Sequence, residues 1–261
     1  MSYYFGFSNS NFSLSVGGGG YSPWYGGGQS VSYGDYYGPN ATTASNVNGY
    51  QNVYGTPWND RAGLYNYGGN QNYYGGWGND AVNARNDYGS QNINLGGGND
   101  YANVVNNGGS QYVNGGRGND YINATNFSGY QRVDGGRGND VGNLRNFGGT
   151  QVFDGGRGSD FARMDNNGGT QVFNGGRGRG NDSAVFTGTG GTQYFNGGRG
   201  NDSLTVTGNN GNTVFANGGR GHDTLNLTGN NWSYNASQNY WGNTAGGRVY
   251  AKGFERVNIT G

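Results

Sequence analysis

The chain has 261 residues, of which 60 are Gly; hydrophobic residues make up 31% and charged residues 11%, and the formal net charge is zero. So little apolar material excludes an ordinary globular core, yet zero net charge and 15% aromatics are unlike a disordered linker. The absence of Cys excludes disulfides and thiolate metal sites, no apolar run is long enough to span a membrane as a helix, and the neutral balance argues against an electrostatic grip on nucleic acid.

Residues 1–49 are rich in Tyr and Gly and only loosely periodic; Gln29 and Val31 mark one distorted repeat. The opening MSYYFGFSNS lacks the basic start and compact apolar stretch of a cleaved signal peptide. This segment reads as an N-terminal cap or assembly segment. From residue 50 to 229 a strict period takes over. Asp falls at 60, 80, 100, 120, 140, 160, 182, 202 and 223, and Gln at 51, 71, 91, 111, 131, 151, 171 and 193. The two extra residues before Asp182 fall in GGRGRGND, and the single extra residue before Asp223 is assigned to VFANGGRGHD. Insertions of this kind belong in loops.

Within each repeat the residues two and four beyond Asp are apolar, as in Ile122 and Ala124 or Leu204 and Val206, while the residue between them is often Asn. That alternation is a short strand with one apolar face. A second strand follows each Gln, with Val113, Val133, Phe153, Phe173 and Phe195 two residues on. Gly pairs and the GGRGND segments supply the turns between them. Two such short strands bury nothing alone, so the repeats must stack. The expected fold is all-β: a parallel, two-faced β-solenoid with about 20 residues per coil, each coil about 4.8 Å from the next, so that nine coils make a rod about 40 Å long. Pro23, Pro39 and Pro57, which would break the ladders, all precede the regular part. Residues 230–261 read as a C-terminal cap. Trp24, Trp58 and Trp77 towards one end, and Trp232 and Trp241 towards the other, suit capping of exposed strand edges or contacts between molecules.

GGRGNDYIN at 115–123, GGRGNDSLT at 197–205 and GGRGHDTLN at 218–226 resemble the nonapeptide G-G-x-G-x-D-x-U-x of the RTX (repeats-in-toxin) calcium-binding β-rolls, a pattern associated with calcium-binding β-helix repeats. The resemblance covers roughly residues 75–229. It implies Ca2+ between equivalent turns of neighbouring coils, held by Asp80, Asp100, Asp120, Asp140, Asp160, Asp182, Asp202 and Asp223 together with turn carbonyls, since calcium takes six to eight oxygen ligands. The C-terminal GFERVNITG is similar to the tail of RTX proteins, which implies type I secretion to the extracellular space or cell surface. Two departures stand out. The opposite turn carries Gln in place of Asp, so a Gln amide ladder is expected there rather than metal. Arg117, Arg137, Arg157, Arg179, Arg199 and Arg220 sit three residues before the Asp row. The alternative to calcium is therefore a metal-free solenoid in which Arg neutralises Asp and the carboxylates accept backbone N–H groups.

No enzyme is expected. His222, the one histidine, occupies a slot that is Asn in most other repeats, no zinc cluster is present, and no nucleophile has a partner base. Sequons such as Asn40-Ala41-Thr42 and Asn231-Trp232-Ser233 arise by chance in so Asn-rich a chain. The expected function is a secreted, calcium-binding structural protein that self-associates into a filament, matrix or surface layer. The alternatives are an ice-binding solenoid, for which Thr187, Thr207 and Thr228 form a short Thr row, and a carbohydrate-binding adhesin module presenting Tyr and Asn to a glycan.

Overall fold

In the computed structural model the described residues are 29–32, 41–229 and 231–261. The expected cap over residues 1–49 therefore lies largely outside them, as does Trp24. The described chain is all-β and forms a two-faced parallel solenoid of stacked coils. One sheet has 13 strands and contains every strand that follows a Gln; the other has 11 and contains those that follow an Asp. They are called the Gln sheet and the Asp sheet below.

Each strand pairs with the equivalent strand one coil away. Tyr121–Asn126 pairs in parallel with Tyr101–Asn106 on one side and Val141–Asn146 on the other, with Asn123 level with Asn103 and Asn143. Coil pairing reaches back beyond residue 50: Gln29–Ser32 pairs with Tyr50–Tyr54, placing Gln29 beside Gln51 and Val31 beside Val53. At the other end Arg248–Lys252 and Arg256–Thr260 add one more coil, and the short strands Ser233–Asn235 and Tyr240–Gly242 fold antiparallel against it as a meander. Trp232 is buried in the core at this end and Trp241 packs against it, whereas Trp58 and Trp77 are 50% and 62% exposed. Among the described tryptophans, the C-terminal pair covers the core and Trp58 and Trp77 do not.

The alternation read from sequence is reproduced by burial. Residues two and four beyond each Asp point inward, and those two beyond each Gln meet them from the opposite sheet. Side-chain volumes compensate across the thin core, as close packing demands. Gly142 stands level with Ile122 and Ala162, and a Cβ there would strike the Phe153 ring and Leu144. Phe153, Phe173 and Phe195 stack along the interior, with ring centroids 5.9 and 5.2 Å apart.

The two insertions differ from each other. Gly156 pairs with Gly176, and a Cβ at Gly180 would press on the Gly158 carbonyl, so the extra residues of GGRGRGND bulge between these points as expected. The extra residue before Asp223 does not lie in VFANGGRGHD, because Thr192–Arg199 and Thr213–Arg220 pair without a break. It enters at Thr207–Gly208, where the register of the Asp sheet shifts between Phe186 and Gly188. The opposite turn tolerates it because Gly208 adopts a φ of 56°.

One core position breaks the pattern. Tyr73 occupies the slot held by Phe in three later coils, and its buried hydroxyl has no hydrogen-bond partner. Burial, and then the nearby Asp80, Asp60 and Asp100, push its pKa far above the usual phenol range. Tyr73→Phe should therefore stabilise the fold by about 1 kcal/mol, the order of cost of an unsatisfied buried hydroxyl. Denaturant unfolding of the two proteins measures this.

Candidate functional site

The Asp row is a buried column at the edge of the Asp sheet. Each of its carboxylates from Asp80 to Asp223 is no more than 4% exposed. Its stacking is specific: the backbone N–H of each Asp donates to Oδ1 of the Asp one coil further on. The chain of bonds runs from Asp60 through Asp80, Asp100, Asp120, Asp140, Asp160, Asp182 and Asp202 to Asp223, at 2.7–2.8 Å. The eight expected ligand residues are thus brought into one file. Both ends of the file have features that the sequence reading missed. At the C-terminal end the Asp223 N–H donates to Glu255 Oε2 at 2.7 Å, so the lone glutamate serves as the terminal acceptor; this bond holds the Glu255 carboxyl below its usual range. At the N-terminal end Asp60 is satisfied locally, by the Thr56 N–H at 2.6 Å and the Thr56 hydroxyl at 2.9 Å.

Beyond Asp60 the second carboxylate oxygen is left without a partner in all but one of the Asp residues of the file. Oδ2 of Asp80, Asp100, Asp120, Asp140, Asp160, Asp202 and Asp223 is buried without a hydrogen-bond partner. The sequence explains why: where the first coil has the Thr56 hydroxyl, the later motifs have Gly. In the coil at 135–140, Gly136 and Gly138 take φ of 103° and 137°, a turn only Gly adopts without strain. The first Gly of each motif leaves a cradle. A Cβ at Gly115 would collide with Asp120 Oδ2 and with the carbonyl oxygen of Gly135 in the next coil, and Gly175 and Gly197 repeat this with Asp182 and Asp202. A carboxylate oxygen and a carbonyl oxygen of the following coil therefore face one space.

An ionised carboxylate in such a place is costly. Burial is the leading cause that raises the pKa of Asp80, Asp140 and Asp182 to about 7 and of Asp100, Asp120, Asp160 and Asp202 to about 6, against partial relief from the accepted N–H groups. The Arg row does not supply the missing charge by contact. Ion pairs among the described residues join Arg85 to Asp87 and Arg132 to Asp154, and neither pair lies in the Asp row. Arg117, Arg137, Arg157, Arg199 and Arg220 point out to solvent. Arg177, paired through Gly176 with the preceding coil, continues their row, although sequence spacing had selected Arg179.

The opposite turn holds the expected Gln ladder. Nε2 of Gln71 donates to Gln51 Oε1 at 2.6 Å, and the pattern repeats up to Gln193 donating to Gln171 at 3.0 Å. Beside it runs an Asn ladder that the sequence reading missed. Nδ2 of Asn46 donates to Asn66 Oδ1 at 2.9 Å, and so on through Asn86, Asn106, Asn126 and Asn146 to Asn166. The Gln amides donate towards the N-terminal coil and the Asn amides towards the C-terminal coil. The residue preceding each Asp has a role as well: the Asn119 N–H donates to Asn99 Oδ1 at 2.7 Å, and the His222 N–H donates to Asn201 Oδ1 at 2.9 Å. His222 needs only its backbone there, consistent with a structural position.

Among the described residues no three His, Cys, Asp or Glu side chains converge on one point, and no helix is long and apolar enough to cross a membrane. No family model, curated protein or solved structure is significantly similar to the chain. The geometry defines the class of protein: a two-sheet parallel β-solenoid with buried polar columns along both turns.

The raised carboxyl values set a pH dependence with a definite sign. The unfolded value is 3.8 and the folded values are about 6 to 7, so between them the folded chain binds more protons than the unfolded one. In chelator, stability should be fullest below about pH 4 and fall as the pH rises through about 7. Thermal melts in chelator across this range test it; a melting temperature that climbs over the same interval would contradict the buried-acid geometry.

Proposed function

We propose that the chain is a secreted, calcium-stabilised structural rod that self-associates into an extracellular filament, matrix or surface layer. The observation carrying this reading is the file of buried carboxylates whose Oδ2 atoms have no partner. Their donor chemistry fits calcium: hard oxygens, one carboxylate per coil, with turn carbonyls facing the same spaces. Asp80, Asp100, Asp120, Asp140, Asp160, Asp182, Asp202 and Asp223 would hold the ions, with most of the remaining ligands drawn from the backbone. Bound calcium supplies positive charge between like-charged neighbours and ties each coil to the next. The contrast with Asp60 supports this, since the one coil with a Thr donor in its turn leaves no such need. The GGRGND resemblance to RTX repeats and the RTX-like C-terminal stretch support export to a calcium-rich exterior.

Assembly is supported by the open end of the Asp sheet. Arg256–Thr260 is the last strand of that sheet, paired on one side only among the described residues. Val257 and Ile259 continue the core columns of Leu225 and Leu227, yet are 39% and 45% exposed. An edge strand with apolar side chains invites addition of another strand, and head-to-tail addition of like units gives open filaments. Ice binding has less support: Thr260 does extend the Thr207 and Thr228 row, but Arg85, Arg145 and Arg163 interrupt the same face. No catalytic constellation is assembled around the Asp file, so no enzymatic role is proposed.

Asp140→Asn separates the metal reading from the metal-free one by sign. In chelator the neutral amide should be neutral to stabilising, because it removes a buried acid. In saturating calcium it should destabilise by about 1–3 kcal/mol through loss of a ligand, and the parent protein should gain about 2.7 kcal/mol per independent site at a hundred-fold excess over Kd. The same sign of effect in both conditions would end the calcium reading. Electron microscopy should show end-to-end rods with calcium; monodisperse monomers at all concentrations would remove the assembly reading.

A further inference from the structure

The Arg row is left without work by the Asp file. Arg117, Arg137, Arg157, Arg177, Arg199 and Arg220 are exposed and repeat once per coil along one side of the rod. None of them has an ion-pair partner among the described residues. At about 4.8 Å per coil, neighbouring guanidinium groups repel one another even in water. A regular, exposed row of like charge is complementary to something that carries negative charge in the same linear sequence.

The ground beside the row is shaped for a chain. Gly116, Gly136 and Gly156 lie between the Arg row and the outer face of the Gln sheet and form the floor of a groove of about 650 Å³. Its far wall is a row of short polar side chains, with Asn114, Asn174 and Asn196 along it. The wall includes two carboxylates, Asp134 and Asp154. Asp154 is already matched, by Arg132 at 2.5 Å and by the Asn174 amide at 2.6 Å, while burial and the neighbouring Asp154 raise the pKa of Asp134, against partial relief from Arg132. The row is headed by Trp77, which is 62% exposed and lies against Gly97, the residue level with Arg117. One wall thus offers bidentate cations, the other amides on either side of two carboxylates, and the head an apolar ring.

We propose that this groove binds a linear acidic polysaccharide along the rod axis. Guanidinium forks pair with carboxylates or sulfates, side-chain amides match sugar hydroxyls, and an exposed indole suits the apolar face of a sugar ring. Charge complementarity selects a polyanion, and the polar wall selects a hydroxyl-rich one. A single-stranded nucleic acid fits less well, because its binding sites interleave aromatic platforms with the cations, and no aromatic residue interrupts the row between Arg117 and Arg220. The site lies away from the edge strand Arg256–Thr260 and on the outer side of the turns whose inner side forms the Asp file, so the Arg side chains that line it are not the groups proposed to hold metal.

Affinity electrophoresis and calorimetry of the full chain with polygalacturonate oligosaccharides test the proposal, with dextran as the neutral glycan and a single-stranded DNA oligonucleotide as the other polyanion. The expected result is binding to polygalacturonate that weakens as salt is raised, no binding to dextran, and at least a ten-fold loss in the triple variant Arg137→Gln, Arg157→Gln, Arg177→Gln, whose three positions line the groove. These residues are exposed, and an unchanged far-ultraviolet spectrum confirms that the variant is folded. The triple variant also separates Arg recognition from calcium bridging, since it keeps every Asp. Polygalacturonate binding no tighter than dextran, an unaffected triple variant, or tighter binding of the DNA would each overturn the proposal.

Discussion

Every coil of this protein is held to the next by hydrogen bonds that run along the rod, and that direction governs what each buried polar group can do. In a globule a buried amide or acid finds a partner in whatever element packs over it. Here the core is two strands thick, so a polar side chain at a turn has its own copy above and below it. It must be a residue that can satisfy itself. Gln and Asn meet that demand, because an amide is both donor and acceptor and can pass a hydrogen bond from coil to coil indefinitely. The two amide ladders run side by side with opposite polarity, so their dipoles offset one another.

Asp does not meet that demand. A carboxylate only accepts, and stacked copies repel. The chain partly solves this by offering each Oδ1 the backbone N–H of the preceding Asp, which leaves a buried Oδ2 without a partner in seven of the coils. The difference between the two turns is therefore a difference of chemistry and not of shape: one closes on itself and the other requires a proton or a cation. Ends are treated differently from the middle. Thr56 provides the donor at the first Asp, and Glu255 provides the acceptor for the last N–H. The carboxylate file has defined termini within the described chain, although the solenoid's Asp sheet continues to an open edge.

The same translation by one coil acts on the outside. Residues that are unremarkable singly become rows: stacked Tyr101 and Tyr121, stacked Phe127 and Phe147, an Asn row bonded through Asn103 and Asn123, and the unpaired Arg row. A row of one charge is costly, and among the described residues the guanidinium row is the exterior row that repeats one charge over successive coils without its own compensation. The interior and exterior charge problems are separated by the strand edge between them, which explains why the two rows, close in sequence, do not neutralise each other.

Much of this was legible in the residues alone. A constant interval between Asp residues, a constant interval between Gln residues and apolar alternation between them determine a stacked solenoid, its inward faces and the Gln ladder, because side-chain direction in a strand has a period of two and translation by whole coils places like on like. The Asn ladder was not legible, since Asn is so common in the chain that one column of it does not stand out. Nor was Glu255, which lies outside the period, or the bulge at Thr207–Gly208, which spacing alone could place anywhere between two Asp residues. Which oxygen of each carboxylate is left without a partner, and whether Arg reaches Asp, depend on the path of the turn through glycines at positive φ. That path is set by contacts between coils, so only the tertiary structure could decide it.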